Sequence, residues 1–210
     1  MWCSTRCANP LDAAMTIKYL WTAVVSAALA GHALAQPADV RAESSTVAPV
    51  NTEDTRPELA SALPQLRLMG KGRLTFWGFQ VYDARLWALP GFKSDSLTAQ
   101  PFALELAYLR GFDNKDIAER SITEMRRSAA ISEAQAKVWI DEMMRALPDV
   151  KAGDRVMGIH RPGVGAQFLM NGKPTGEIRD AEFARLFFGI WLSPKTSEPK
   201  LRAALLAGVG

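Results

Sequence analysis

The segment from Gly70 to Trp87, GKGRLTFWGFQVYDARLW, holds the grouping most suggestive of chemistry. Arg73, Thr75 and Tyr82 set a guanidinium and two hydroxyls among Phe76, Trp77, Phe79 and Trp87. That composition suits gripping an amphipathic anion by its polar end while its apolar part is buried. The same residues also suit plain packing, with the aromatics as core or sheet surface and Arg73 as a solvated edge residue. Other groups have simpler readings. His160 has no Gly-x-Ser-x-Gly elbow near it and fits a strand histidine satisfied by a carbonyl or by solvent. Asp113, Asp116 and Glu119 suit the positive end of a helix dipole. Gly70-x-Gly72 lacks the third glycine and the following helix of a dinucleotide loop, so no cofactor is expected.

The whole chain bounds these choices. Its 210 residues carry 25 basic and 22 acidic side chains, a net charge of +3, scattered without the basic cluster that a nucleic-acid backbone requires. Nucleic acid is not an expected partner. From Met15, a lysine at Lys18, an apolar run from Tyr19 to Gly31 and small residues at Ala33 and Ala35 make the three-part pattern of a secretory signal peptide over residues 1–35, with Met15 as an alternative start. The run is short for a membrane span, and none is expected in the mature chain. Cleavage after Ala35 removes both cysteines, Cys3 and Cys7, and His32, leaving His160 alone. A disulfide, a thiolate nucleophile and a transition-metal site are then not expected. Residues 36–56 contain no aromatic residue and no Leu, Ile or Met, which predicts a flexible leader. Residues 57–210 read as one domain without internal repeat.

The elements that must position the candidates follow from periodicity. Leu66–Met69 reads as a strand ending at Gly70-Lys71-Gly72, where paired glycines suit a turn or bulge, and Arg73–Leu89 is a second strand-like run. Phe102–Leu109 alternates, with Phe102, Leu104, Leu106 and Tyr108 on one face, predicting a strand buried on that face. Ile117, Ser121, Ile122, Met125 and Ala129 form a helical stripe. Ser132 with Gln135 is a capping signature for a second helix reaching Pro148. Strands return at Arg155–His160, Ala166–Met170 and Thr175–Ile178, the last two joined by the Asn171-Gly172 hairpin signal. Asp180 caps a helix with Phe183, Leu186, Phe187, Ile190 and Trp191 on its apolar stripe, and a short helix covers about Pro199 to Leu206. The order β-β-β-α-α-β-β-β-α-α predicts an α+β domain with a mostly antiparallel sheet and helices on one face.

The segment FQVYDARLW (79–87), the Leu104–Leu109 strand, the helical pair, Val164-Gly-Ala-Gln-Phe168 with Asn171-Gly172, and Phe187-Phe-Gly-Ile-Trp-Leu192 together resemble the bacterial chalcone isomerase-like family. The likeness spans about Leu66 to Leu206. It implies an open-faced β-sandwich, with a long sheet backed by helices and a ligand cleft between the layers. It also implies a bacterial origin, so that export would lead to the periplasm. True chalcone isomerases, which are intramolecular lyases, close a flavanone ring using an arginine with hydroxyl and amide side chains. Related plastid members bind fatty acids through an arginine and a tyrosine without chemistry. In this chain the family's arginine position falls on Leu74, with Arg73 one step earlier; one residue of register turns a side chain to the other sheet face, so Arg73 reaches the cleft only if Gly70–Gly72 bulges. Asn114 and Lys115 stand where the enzymes place a tyrosine, and Gly189 replaces a hydroxyl. The expected function is therefore non-catalytic binding of a small amphipathic, fatty-acid-like ligand by Arg73, Thr75, Tyr82 and Tyr108. The alternatives are an isomerase with a rearranged site, or an interaction module whose cleft is filled by its own aromatics.

Overall fold

The structure, a computed structural model, describes residues 56–96 and 98–209. The expected signal peptide and the leader up to residue 55 lie outside the described residues. Six strands, β1 (Arg67–Phe76), β2 (Phe79–Ala88), β3 (Phe102–Tyr108), β4 (Arg155–Arg161), β5 (Gly165–Met170) and β6 (Lys173–Ile178), form one sheet in sequential order, every neighbour antiparallel. A short α1 (Pro57–Ala62) precedes β1, α2 (Asn114–Met125) and α3 (Glu133–Ala146) join β3 to β4, and α4 (Ala181–Leu192) and α5 (Pro199–Leu205) follow β6. This is the antiparallel sheet with a helical layer that the strand and helix grouping predicted, with α1 added.

Local chemistry sets the helix starts. The Ser132 side chain accepts from the Gln135 backbone N–H, and Asp180 accepts from those of Glu182 and Phe183, so two helices begin with otherwise unpaired donors satisfied. Asp180 also accepts from Trp139 Nε1 at 2.9 Å, which ties the start of α4 to α3. Asn114, at the start of α2, donates to the carbonyls of Met144 and Leu147 and is occupied by helix packing.

The first hairpin lies further along than its glycines suggested. β1 runs straight through Gly70 and Gly72, with a register shift between Leu68 and Gly70, and the chain reverses at Trp77-Gly78. The two glycines serve close approach of α5. A Cβ on Gly70 would stand 2.2 Å from the Ala204 carbonyl oxygen, and one on Gly72 would stand 2.8 Å from a Leu201 methyl. Glycine inside a strand marks just such a contact.

Alternation along β2 and β3 separates two environments. Tyr82, Ala84, Leu86, Phe102, Leu104, Leu106 and Tyr108 join the main core beneath the helices. On the opposite face Trp87, Ala103, Met157, Ile159 and Leu169 form a second core with Leu59 of α1. β3 is therefore buried on both faces, not on one as its alternation suggested. Within that outer layer Glu105 is wholly buried. Arg56 grips it through two 2.7 Å bonds, Arg155 donates at 2.7 Å and Arg85 at 3.5 Å. Arg56, read from composition as the end of the leader, is thus a structural residue, and its guanidinium also lies 5.3 Å over Trp87.

His160 stays within the core as a packing residue, stacked on Phe102 and bonded at Nδ1 to the Gln100 carbonyl. Burial holds its pKa below the ordinary value.

Removing the Glu105 carboxylate leaves its arginines facing one another in a half-buried layer. Glu105→Ala is expected to lower stability by about 3–5 kcal/mol, measured as a shift of the urea unfolding midpoint.

Candidate functional site

The main core is not filled throughout. A cleft of about 470 Å³ opens between the β1–β3 end of the sheet and the helices α2 and α4, within the ~300–1,000 Å³ range usual for small-molecule sites. Leu74, Val81, Leu106, Ile117, Phe187 and Ile190 supply much of its apolar wall. The aromatics among the described residues do not plug it, which corrects the filled-cleft alternative.

Tyr82 and Tyr108 both line the cleft, paired across β2 and β3, with rings 5.8 Å apart edge to face. Trp191 of α4 donates through Nε1 to the Tyr82 hydroxyl at 2.9 Å, inside the core. Because that oxygen accepts from the indole, its own proton is directed elsewhere. The Tyr108 hydroxyl has no hydrogen-bond partner among the described residues. Burial pushes both phenols well above their ordinary value. At Tyr82 the bond from Trp191 opposes the rise, and the charges of Glu198 and Glu124 add to it; at Tyr108 the neighbouring Tyr82 adds to it. Both are neutral hydroxyls at physiological pH, suited to donating to an acceptor in the cleft.

Arg73 and Thr75 do not line this space. Arg73 stands opposite Asp83 in the β1–β2 ladder and clamps that carboxylate at 2.6 and 2.8 Å while also donating to Gln80. The Arg73 guanidinium holds the Asp83 carboxyl below its ordinary range. Leu74, one residue on, faces the cleft instead. The placement expected for Arg73 is thereby corrected: the irregularity near Gly70 lies upstream of it, and past that point strict alternation sends Arg73 to the outer face.

The cations at the cleft are Arg110 and Arg120, which sequence reasoning did not single out. Arg110 stands two residues beyond Tyr108, its guanidinium 5.2 Å over the Phe79 ring, and has no carboxylate partner among the described residues. Arg120 lies 5.9 Å over Phe76 and pairs with Glu124 at 2.6 Å. The i, i+4 spacing of Asp116, Arg120 and Glu124 on α2 was a visible signal for one charged helix face. Which layer that face met was not. Glu124 Oε2 is buried without a hydrogen bond, 3.8 Å from Arg127 Nε. Among the described residues no group of His, Cys, Asp and Glu could hold a metal ion.

An open antiparallel sheet, a helical layer on one face and a largely apolar cleft between them define an α+β domain with a cavity between its layers. The chalcone isomerase-like family model matches residues 45–207, and the chain belongs to that family. A relative is an uncharacterised protein of Haemophilus influenzae, 28% identical over 138 residues, a match spanning 66% of this chain and 66% of that protein. The fold is shared with the crystal structure of a fatty-acid binding protein of Arabidopsis thaliana. That likeness has a TM-score of 0.56 at 13% identity and covers 69% of this chain and 88% of that one.

The buried phenols give a pH dependence of definite sign. A phenol whose folded pKa exceeds its unfolded value of about 10 stabilises the fold fully below that pH, and the contribution is lost as pH rises. In an alkaline absorbance titration Tyr82 and Tyr108 are expected to ionise only as the chain unfolds. Tyr82→Phe and Tyr108→Phe should each remove part of that late signal.

Proposed function

We propose that this protein binds a small amphipathic acid of the fatty-acid type without transforming it. The acyl chain occupies the cleft between β1–β3 and the α2/α4 layer, and the carboxylate is met by Arg110, with Tyr108 and Tyr82 as neutral donors along the wall. The observation that carries this reading is Arg110: the cleft lining also holds Arg120, Asp116, Glu124 and Glu198, but Arg120 is paired with Glu124, whereas Arg110 has no carboxylate partner among the described residues. A charge-assisted pair with a bound carboxylate is the natural completion. The Arabidopsis thaliana neighbour, a fatty-acid binding protein, supports the same ligand class.

Leu74 weighs against ring closure of a chalcone. It lines the cleft where the likeness to the isomerases puts an arginine, and an apolar side chain offers developing enolate charge no stabilisation. The pattern of residues 15–35 supports export, which we place in a bacterial periplasm.

Palmitate should therefore displace an apolar fluorescent probe from the protein. Arg110→Ala is expected to weaken palmitate about tenfold and leave methyl palmitate unchanged. Equal losses for acid and ester would remove Arg110 from the head-group site, and conversion of a chalcone to a flavanone would refute the non-catalytic reading.

A further inference from the structure

The β1–β2 turn is built from residues the fold itself does not ask for. Trp77 and Gly78 connect Phe76 to Phe79, with φ of 51° and 80°. Positive φ at both central positions marks a type I′ hairpin, for which Asn-Gly is a favoured pair and a bulky side chain at the first position is an outlier. Nothing in the core repays a tryptophan here. Trp77 is 86% exposed, Phe76 50% and Phe79 62%, and the ring nearest Trp77 is that of Phe76. With Leu109, whose N–H donates to Val81 beside this hairpin, these are four of the seven large apolar residues exposed among the described residues.

The chemistry around the tip states what would cover it. The guanidiniums of Arg110 and Arg120 lie over the Phe79 and Phe76 rings, so cationic groups sit at the base of a projecting aromatic knob. Arg110 has no carboxylate partner among the described residues. Aromatic residues with tryptophan foremost, backed by arginine, match the layering of a bilayer interface, where acyl chains lie beneath a plane of phosphates. A two-residue turn is far smaller than the ~800 Å² per partner of a stable protein interface. Shallow insertion into lipid needs only a few such side chains and a basic group. Phe76 and Phe79 also line the cleft, so the same contact would set its mouth against the lipid.

We propose that the β1–β2 tip docks this protein on anionic bilayers, with Trp77, Phe76 and Phe79 at the acyl boundary and Arg110, while the cleft holds no acid, on lipid phosphate. Direct passage of a ligand between bilayer and cleft rests on the binding function proposed above; the docking does not.

The test uses the full chain and vesicles of phosphatidylglycerol and phosphatidylethanolamine, with phosphatidylcholine vesicles as the uncharged comparison. Trp77→Asn installs the favoured Asn-Gly turn outside the cleft lining, so folding and uptake of dissolved palmitate are expected to be retained. Its vesicle association should fall about tenfold, given the apolar area of one tryptophan. In chain labelled with 5-fluorotryptophan, the resonance absent from Trp77→Asn should broaden when the anionic vesicles carry spin-labelled lipid, and should broaden less with phosphatidylcholine. A Trp77 resonance untouched by the vesicles, or association unchanged in Trp77→Asn, would overturn the proposal. A dimer that dissociates in Trp77→Asn would also overturn it, since a second copy would then cover the tip. Docking without palmitate uptake would instead refute only the binding function.

Discussion

The separation between sheet and helices is set by side-chain size, and the site depends on it. Where glycine lies beneath a helix the layers close to backbone contact: Gly70 under Ala204 and Leu205, Gly176 under Ala146. Where Tyr82, Tyr108 and Leu106 face Ile117, Phe187 and Trp191, the helices stand further off and a hollow remains. Protein interiors are otherwise packed to crystal density, so a hollow this size persists only because the surrounding contacts fix the helices in place. The bond from Trp191 to Tyr82 spans the two layers within the core and holds α4 at its distance from β2.

The outer layer makes that arrangement rigid. Sheets covered on one face alone can twist and flex, but here Leu59 and the Arg56–Glu105 clamp close the opposite face over β2, β3 and β4. A buried carboxylate is tolerable only with donors on it, and three arginines from separate parts of the chain meet that need. Arg73 belongs to this outer system through Asp83, which explains its charge without reference to any ligand. The cleft is left with neutral phenols along its wall and with Arg110, Arg120, Asp116, Glu124 and Glu198 among the residues that line it; since Arg120 is paired with Glu124, Arg110 is the guanidinium that fits an amphipathic acid.

Alternation in β3 and the helical stripes made the sheet, the helical pair and the α4 apolar face legible before any coordinates, because those periods follow from backbone geometry. Tyr108 reached the cleft on the face that the β3 pattern implied, and Tyr82 lies opposite it on β2. The reading failed where one residue type has two uses. Gly70 and Gly72 suited a turn or bulge; the register does shift between Leu68 and Gly70, but no turn forms there, and both glycines make room for α5, whose position is not written locally. Arg56 lay in a stretch too polar to fold alone, and it is ordered by a carboxylate 49 residues away.

By itself, then, the chain determined its layer architecture and the place of Tyr108 on a buried face, since both follow from local spacing and residue type, and its family was legible through resemblance. Tertiary structure alone decided which guanidinium serves the cleft. Arg73 and Arg110 are equally cationic in sequence. A single step of strand register and the distant placement of Asp83 committed the first to the outer face, while the path of the chain beyond β3 brought the second beside Phe79 and the opening between the layers.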